Sequence, residues 1–392
     1  MPFTRSVFHR LLEPLDRRLL KRLSEAHNSD RGVGHGDRAW TSQRHLKAML
    51  FAQFADLRSL REIEQALSAR PCALYHLGLR RVSRTTLSDA SSRRPAAFFR
   101  DICATLMAQA TRKLRREGEA LIQILDASPI QLRDERYGWA LSDRRCRGLK
   151  IHLLLDPRAQ CPVHFAVTSP KVSDIAGGWE IPIEAGATYV FDKGYTDYSW
   201  WQEIHTGRAI FVTRLKKNVH RRDIRENDAK GESILEDRRL KIGHKKPRGG
   251  AINPLYDTEL REVIVTREGK DPLHLITNDH QASAEDIAAL YKERWQIELF
   301  FKWIKQNLKI KAFLGRSENA VKIQIYTAII AFLLLRMLQQ GVAASHHQGA
   351  KALMTRIKVA LFGPLDLTNK AKPPPKQPAA RKPDNQLTLN IG

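Results

Sequence analysis

The residues best suited to chemistry are two aspartates and a glutamate that lie far apart in the chain. Asp126 and Asp192 each end an apolar, strand-like run, and Glu298 lies on a predicted helix. A single aspartate at a strand end is most often a turn residue or a helix cap. Three clustered carboxylates repel one another unless cations neutralise them, and hard oxygen ligands suit Mg²⁺ or Mn²⁺. Because two such ions can activate a water or a 3′-hydroxyl for phosphodiester displacement, the three acids are candidate catalytic residues and metal ligands.

Glu298 is predicted to share its helix with a phenol and three cations. A capping box at Ser283 begins this helix, and no Gly or Pro follows before Gly315. On a regular helix the polar side chains occupy an arc of about 80°, and they are Tyr291, Arg294, Glu298, Lys302 and Lys305. The remaining surface is mostly apolar, which predicts a buried helix. The four neighbours of Glu298 are candidate phosphate contacts; the alternative is a solvated stripe with internal ion pairs.

Five apolar runs of strand length predict the sheet that carries the two aspartates. They cover residues 120–126, 150–155, 163–168, 189–192 and 209–213. The second and third runs form a hairpin over the turn at Asp156, and residues 198–205 form a helix before the last strand. His152 is interpreted as a sheet residue and not as a metal ligand.

Helical spacing dominates the first part of the chain and predicts a small DNA-binding bundle. Helices are expected within residues 1–26, from Thr41 or Ser42, over residues 59–69, and from a cap at Ser83. Ser83, Arg84 and Thr85 would contact phosphates and base edges from the start of that last helix. The alternative is that this bundle serves dimerisation or core packing, and that the basic segment 214–250 reads the DNA.

Composition points to a polyanionic partner. The 392 residues include 66 Lys and Arg against 42 Asp and Glu, a formal net charge of +24. Nucleic acid is the most economical partner for this excess, and no basic amphipathic segment indicates a membrane surface. The most apolar run, residues 323–335, is shorter than the roughly 18 residues that span a bilayer, so it predicts a core helix. The four cysteines show no CxxC spacing, which favours reduced thiols in the cytoplasm.

Changes in composition divide the chain into four predicted regions. Residues 1–105 form an all-helical N-terminal DNA-binding domain, and residues 118–345 form an α/β catalytic core. A β-rich insertion at about 214–278 interrupts this core, with strand-like runs at Leu260–Val265 and Leu273–Thr277. Residues 346–369 form a C-terminal helix. Residues 370–392, which are rich in proline and basic residues, form a disordered basic tail.

The spacing Tyr-x2-Arg-x3-Glu-x6-Lys around Glu298 resembles the YREK signature of cut-and-paste insertion-sequence transposases with a DDE catalytic triad. Its members here are Tyr291, Arg294, Glu298 and Lys305. Other stretches are similar to the same family: Phe191-Asp-Lys-Gly-Tyr195, Phe211-Val-Thr-Arg214, Leu275-Ile-Thr-Asn278 and Phe313-Leu-Gly-Arg-Ser317. The stretches Leu50-Phe-Ala-Gln53 and Leu74-Tyr-His-Leu-Gly78 resemble the N-terminal helical domain of one branch. The resemblance covers residues 5–340.

This resemblance implies a ribonuclease H-like mixed-sheet core in which Asp126, Asp192 and Glu298 bind divalent metal, two ions of Mg²⁺ or Mn²⁺. It implies cleavage of double-stranded DNA at terminal inverted repeats and joining to target DNA, within a homodimeric synaptic complex. It also implies a cytoplasmic, nucleoid-associated bacterial protein. Some members that form a DNA hairpin place a tryptophan in the insertion to stack on a flipped base. Residues 214–282 contain no tryptophan here, whereas Trp200 and Trp201 lie upstream.

Two other functions stay open on the sequence alone. A nuclease or resolvase on the same core would cut DNA without joining it. A non-catalytic DNA-binding regulator would tolerate the loss of the acids. All three acids are present, which favours an enzyme.

Overall fold

The computed structural model describes residues 6–363, except 35, 37–38, 70–73, 115–119, 133–134, 144–145, 230, 248–249, 308–312 and 341–349. The predicted tail, residues 370–392, therefore lies outside the described residues. The predicted C-terminal helix, residues 346–369, is described only in part, as a helix over Ala350–Ala360.

The N-terminal region is helical, as predicted. Its helices are α1 (Val7–Leu12), α2 (Arg17–Ala26), α3 (Ser42–Phe54), α4 (Leu60–Ala69), α5 (Arg84–Arg93) and α6 (Ala96–Leu114). Asp16, Thr41 and Ser83 each accept a hydrogen bond from a backbone N–H in the first turn of the helix that follows. These caps satisfy donors that have no partner inside the helix, and they explain where α2, α3 and α5 begin.

The centre of the fold is one mixed sheet. Its first strands are β1 (Ile122–Gln131), β2 (Leu141–Asp143), β3 (Cys146–Asp156), β4 (Cys161–Thr168), β5 (Thr188–Phe191) and β6 (Ile210–Arg214). β3 pairs antiparallel with β1 and with β4, whereas β5 is parallel to β1 and β6 is parallel to β5. The order β4-β3-β1-β5-β6, with three strands in antiparallel succession and two parallel to β1, is the ribonuclease H-like arrangement. The predicted fold class is confirmed.

β1 continues past Asp126 to Gln131, so the prediction that this acid ends its strand is wrong. The reason is β3, which pairs with β1 over the whole length from Ile124 to Gln131. On the other side of β1, β5 ends at Phe191, one residue before the predicted end at Asp192. Asp126 therefore lies where β1 loses its parallel neighbour and keeps its antiparallel one.

The insertion extends the core sheet beyond β6. Its strands are β7 (Arg221–Glu226), β8 (Ile234–Ile242), β9 (Leu260–Val265) and β10 (Leu273–Thr277). β10 pairs antiparallel with β6, and β9, β8 and β7 follow outward in that order. Glu262 is fully buried within these strands and accepts hydrogen bonds from Arg221, Arg238 and His274. Because a buried carboxylate is costly unless it is paired, these contacts tie the four strands to one another.

The helices around the sheet are α7 (Asp174–Trp179), α8 (Tyr198–Thr206), α9 (Ala284–Glu293), α10 (Trp295–Asn307), α11 (Glu318–Gln340) and α12 (Ala350–Ala360). α9 begins at the predicted cap, but Arg294 separates it from α10, so the prediction of one regular helix is wrong. The backbone N–H groups of Arg294 and Ile297 bond to carbonyls three residues earlier, which is the tighter 3₁₀ pattern. Trp295 and Leu299 are exposed, so α10 is buried on one side only.

α11 contains the apolar run predicted as a core helix and is longer than that run. By length and composition α11 could cross a membrane, but most of it is buried inside the protein, against α3, α5 and α6 among others. Near its start, the side-chain amide of Asn319 donates hydrogen bonds to the carbonyls of Ser91, Ser92 and Arg94. One apolar core extends from the N-terminal helices through α11 to the sheet. The predicted boundary at residue 105 falls within α6, and a separate N-terminal domain stays a prediction.

Candidate active site

The register of the parallel strands places Asp126 beside Asp192. Leu125 in β1 is paired with Phe191 in β5, and each aspartate is the next residue of its chain. Neighbouring strands lie about 4.8 Å apart, so the two carboxylates begin from adjacent backbone positions. The expectation that these acids come together thus has a direct geometric basis.

One hydrogen bond and one ion pair hold the carboxylate of Asp192. The hydroxyl of Tyr291 donates a hydrogen bond to Asp192 Oδ1 at 3.2 Å, and Nη1 of Arg214 lies 3.8 Å from the same oxygen. Burial, together with the charge of Asp192, raises the pKa of Tyr291, so the phenol stays protonated and remains a donor. Arg214 reaches this position because the residue before it, Thr213, is paired with Phe191. Sequence reasoning missed Arg214 as a site residue, although it ends one of the family-like stretches.

Glu298 is paired with Arg294 across the junction between α9 and α10. The Arg294 guanidinium donates a hydrogen bond to Glu298 Oε1 at 2.5 Å, and both side chains are partly buried. Burial alone would lower the pKa of Arg294, but the hydrogen bond and nearby carboxylates raise it, so the guanidinium stays charged. The internal Arg–Glu pair considered as the alternative to a functional stripe is therefore present, and it lies within the candidate site.

α10 lies over β1, and an open cleft of about 340 Å³ separates them. Across this cleft the Lys305 ammonium donates a hydrogen bond to Ser128 Oγ at 2.5 Å, while Lys302 is exposed. The residues that line it are Asp126, Ser128, Glu298, Phe301, Lys302, Lys305 and Gln306. Carboxylates and ammonium groups share one surface, so the cleft can bind a cation beside an anion.

Asp126 carries a charge that the protein compensates only in part. Burial above all raises its pKa to about 6, and the charges of Glu298 and Asp174 add to the rise. Arg294 and a 2.9 Å hydrogen bond from the backbone N–H of Ala127 act in the opposite direction but do not cancel it. A divalent cation would supply the missing positive charge, and carboxylate oxygens are its preferred ligands. The residues present therefore fit such an ion.

The three acids do not yet form a closed metal site. Within the part of the chain that the structure describes, no three His, Cys, Asp or Glu side chains are grouped closely enough to hold a metal ion. Glu298 is held by Arg294, and Asp192 is held by Tyr291. An ion bound by all three acids would therefore require at least Glu298 to turn away from its present partner.

The predicted DNA-reading residues lie at the start of α5. Ser83 caps this helix, since its hydroxyl accepts a hydrogen bond from the N–H of Thr86 at 3.2 Å. Arg84 and Thr85 are exposed on the first turn. Ser83, Arg84 and Thr85 therefore lie together at the start of α5, and none of them lines the cleft that contains Asp126 and Glu298.

The aromatic and imidazole residues considered from the sequence are buried. Trp200 and Trp201 are fully enclosed in the core on the α8 side of the sheet, which leaves neither free to stack on a DNA base. His152 lies inside the sheet, where its Nε2 is 2.9 Å from the hydroxyl of Thr168, and burial lowers its pKa. It occupies the place expected of a sheet residue.

Two family models match the chain. One, described as a transposase DDE domain, matches residues 117–334, more than half of the chain, and includes all three candidate acids. The other, described as a domain of unknown function (DUF4372), matches residues 4–80.

Relatives support the same assignment. The chain is 40% identical over 305 residues to "Putative transposase y4zB" of Sinorhizobium fredii, covering 76% of this chain and 82% of that protein. It is 27% identical over 268 residues to "Probable transposase for insertion sequence element IS5377" of Geobacillus stearothermophilus, covering 67% and 68%. A solved piggyBac transposase synaptic complex with hairpin DNA matches at a TM-score of 0.47 and 9% identity, covering 91% and 79%. The family model over more than half of the chain and the 40% identical relative show that the chain belongs to the DDE transposases of insertion sequences, DNA-binding enzymes that cleave DNA, transfer its strands to a target and depend on divalent metal.

Proposed function

We propose that Asp126, Asp192 and Glu298 are the catalytic residues and bind two Mg²⁺ or Mn²⁺ ions. The observation that carries this proposal is the register that sets Asp126 beside Asp192, under the helix that brings Glu298 to the same cleft. Ligands on a strand, at the end of a neighbouring strand and on a helix are held more accurately than ligands on mobile loops. The acids would act on double-stranded DNA at the terminal inverted repeats of the element and then on target DNA.

The chemistry needs these carboxylates to be ionised and unpaired. A divalent ion bound there supplies Lewis-acid catalysis, which favours deprotonation of a water or 3′-hydroxyl and stabilises the leaving oxygen. Asp126 supplies its ionised form above about pH 6. Glu298 becomes available when it releases Arg294, and the freed guanidinium can then bind a DNA phosphate. Separating Glu298 from Arg294 would thus free the carboxylate to bind metal and the guanidinium to bind a phosphate.

Phosphates would be held along the α10 side of the cleft. Lys302 is exposed there, and Lys305 can exchange Ser128 for a phosphate oxygen without moving to another surface. Tyr291 was also predicted as a phosphate contact. Because its hydroxyl donates a hydrogen bond to Asp192, we propose that Tyr291 orients that carboxylate as well. Such contacts fix the position of the DNA but carry little sequence information.

Sequence would be read by α5. Its first turn exposes Arg84 and Thr85, while Ser83 caps it, which is the arrangement by which a helix start contacts phosphates and base edges. Two ends must be held at once, so we propose a homodimer in the synaptic complex. The substrate also implies association with the bacterial nucleoid in the cytoplasm.

The test uses the full chain on a DNA fragment that carries the inverted repeats found on either side of the gene. Asp126→Asn, Asp192→Asn and Glu298→Gln should each abolish Mg²⁺-dependent cleavage and strand transfer, while binding to end DNA in a gel shift is kept. Asp271→Asn is the control, because this exposed acid lies in the turn between β9 and β10 and pairs with Lys217, which follows β6. Full cleavage by any one of the three variants would remove that residue from the site.

A further inference from the structure

A second charged pair lies behind the candidate site, where α7 meets β3. The ammonium of Lys150 donates hydrogen bonds to Asp174 Oδ1 at 2.9 Å and to the carbonyl of Val172 at 2.7 Å. Lys150 is opposite Pro129 in β1, so it is three residues along the sheet from Asp126. Its side chain is largely buried, whereas that of Asp174 is 40% exposed.

One glycine, Gly177, sets how closely α7, and with it Asp174, can approach the sheet. A Cβ on Gly177 would lie 2.0 Å from Nδ1 of His152, so only glycine allows this approach. A Cβ on Gly178 would lie 3.4 Å from the ring of Tyr195, which is ordinary contact. α7 therefore approaches β3 as closely as its backbone permits.

At the other end of α7, Asp174 faces the turn that follows Asp192. Its Oδ2 lies 3.7 Å from the position a Cβ would have on Gly194. Asp174 is thus held near both strands that carry the catalytic aspartates.

The charge of Asp174 affects two groups in or near the candidate site, Asp126 and Tyr195. It is one of the charges that raise the pKa of Asp126. Burial raises the pKa of Tyr195, and the carboxylates of Asp126, Asp174 and Asp192 raise it further. The hydroxyl of Tyr195 is buried and has no hydrogen-bond partner among the described residues. The carboxylates of Asp126, Asp174 and Asp192 therefore all act on the same buried hydroxyl, that of Tyr195.

We propose that Lys150 and Asp174 are positioning residues that set the affinity of the site for its divalent ion. Asp174 adds a fourth negative charge beside the turn that follows Asp192, from where it also acts on Asp126, and Lys150 offsets it. If Asp174 is neutralised, the buried ammonium of Lys150 is left unpaired and repels the ion. If Lys150 is neutralised, the charge of Asp174 is left unpaired and attracts the ion. This inference rests on the proposed function, since it requires Asp126 to bind that ion.

The experiment measures Mn²⁺ binding to the full chain without DNA, by electron paramagnetic resonance of the free ion. Asp174→Asn should weaken binding by about 10-fold, as expected for residues that support metal ligands. Lys150→Met should tighten binding, and Asp174→Glu should restore it. Asp223→Asn and Lys241→Met are matched controls, because they form a similar ion pair at 3.4 Å between β7 and β8, and they should leave Mn²⁺ affinity unchanged.

Weaker Mn²⁺ binding by Asp174→Asn together with tighter binding by Lys150→Met would support the proposal. Melting temperatures would show that each variant is folded. Equal weakening by Lys150→Met and Asp174→Asn would overturn the proposal, because a merely structural pair would behave in that way. Wild-type affinity in both would overturn it as well. Asp126→Asn separates this result from the proposed function: it should lose Mn²⁺ binding, and if it binds normally the metal site itself is wrong.

Discussion

Replacing Asp126 by Asn should stabilise the metal-free protein even though it abolishes cleavage. The pKa of Asp126 in the folded protein, about 6, lies above its value in the unfolded chain, so folding favours the protonated form. Ionisation therefore costs the folded state stability. The cost is small below about pH 4, grows between pH 4 and pH 6, and is complete above pH 6, where it amounts to about 3 kcal/mol.

The Asn variant removes this cost because its side chain cannot ionise, while its Oδ1 can still accept the hydrogen bond from Ala127. For a chain of this length, thermal unfolding in EDTA at pH 7.5 should show a melting temperature about 4 °C above that of the wild type. At pH 4.5 the advantage should fall to about one third, since most of the wild-type carboxyl is then protonated. Saturating Mg²⁺ should reverse the order, because only the wild type gains binding energy.

A matched control is Asp271→Asn. The hydrogen bond from Lys217 lowers the pKa of Asp271, so neutralising this exposed acid gives no gain in stability at pH 7.5. An Asp126→Asn protein that melts below the wild type at pH 7.5, or whose gain is the same at both pH values, would refute the reasoning.

Three further predictions concern DNA binding and the contact between α11 and the N-terminal helices. Lys305→Met and Arg294→Met should each make the plot of log affinity against log salt less steep by about one unit, and unchanged slopes would remove the phosphate contacts. Arg84→Ala in the full chain should lose the preference for end DNA over scrambled DNA in a gel shift. If the preference is kept, the DNA sequence is read by the basic insertion and not by α5. Asn319→Ala should destabilise the protein by about 2 kcal/mol, because three carbonyls lose a donor, whereas Glu318→Ala should have little effect in the same thermal unfolding assay.

The sequence was sufficient for the elements whose signals are local. The cap at Ser283, the strand before Asp192 and the helix start at Ser83 all depend on neighbouring residues, and each was predicted correctly. The end of β1 was not, because the pairing partner that extends it, β3, begins at Cys146. The interruption at Arg294 also lacked a local signal, since no Gly or Pro marks it and both flanking segments are good helices.

The charged groups behind the site could not have been found from the sequence. Asp174 follows Ser173, a helix cap, and nothing near it indicates that it faces the turn after Asp192. Lys150 lies in an apolar strand and resembles an ordinary sheet-edge lysine. Their meeting depends on the close approach of Gly177 in α7 to His152 in β3, which only the fold reveals.

The charges of the site explain how three acids can lie near one another without a bound metal ion. Asp192 and Glu298 are each paired with an arginine, whereas the charge of Asp126 is offset only in part, and its pKa is raised to about 6. These solutions differ in what they require when an ion binds. For Glu298 to bind the proposed ion, Arg294 would have to move, and a DNA phosphate is its expected new partner, whereas Asp126 is already ionised above about pH 6. Metal binding and DNA binding should therefore be mutually supportive, since each removes a partner that the other would otherwise have to displace.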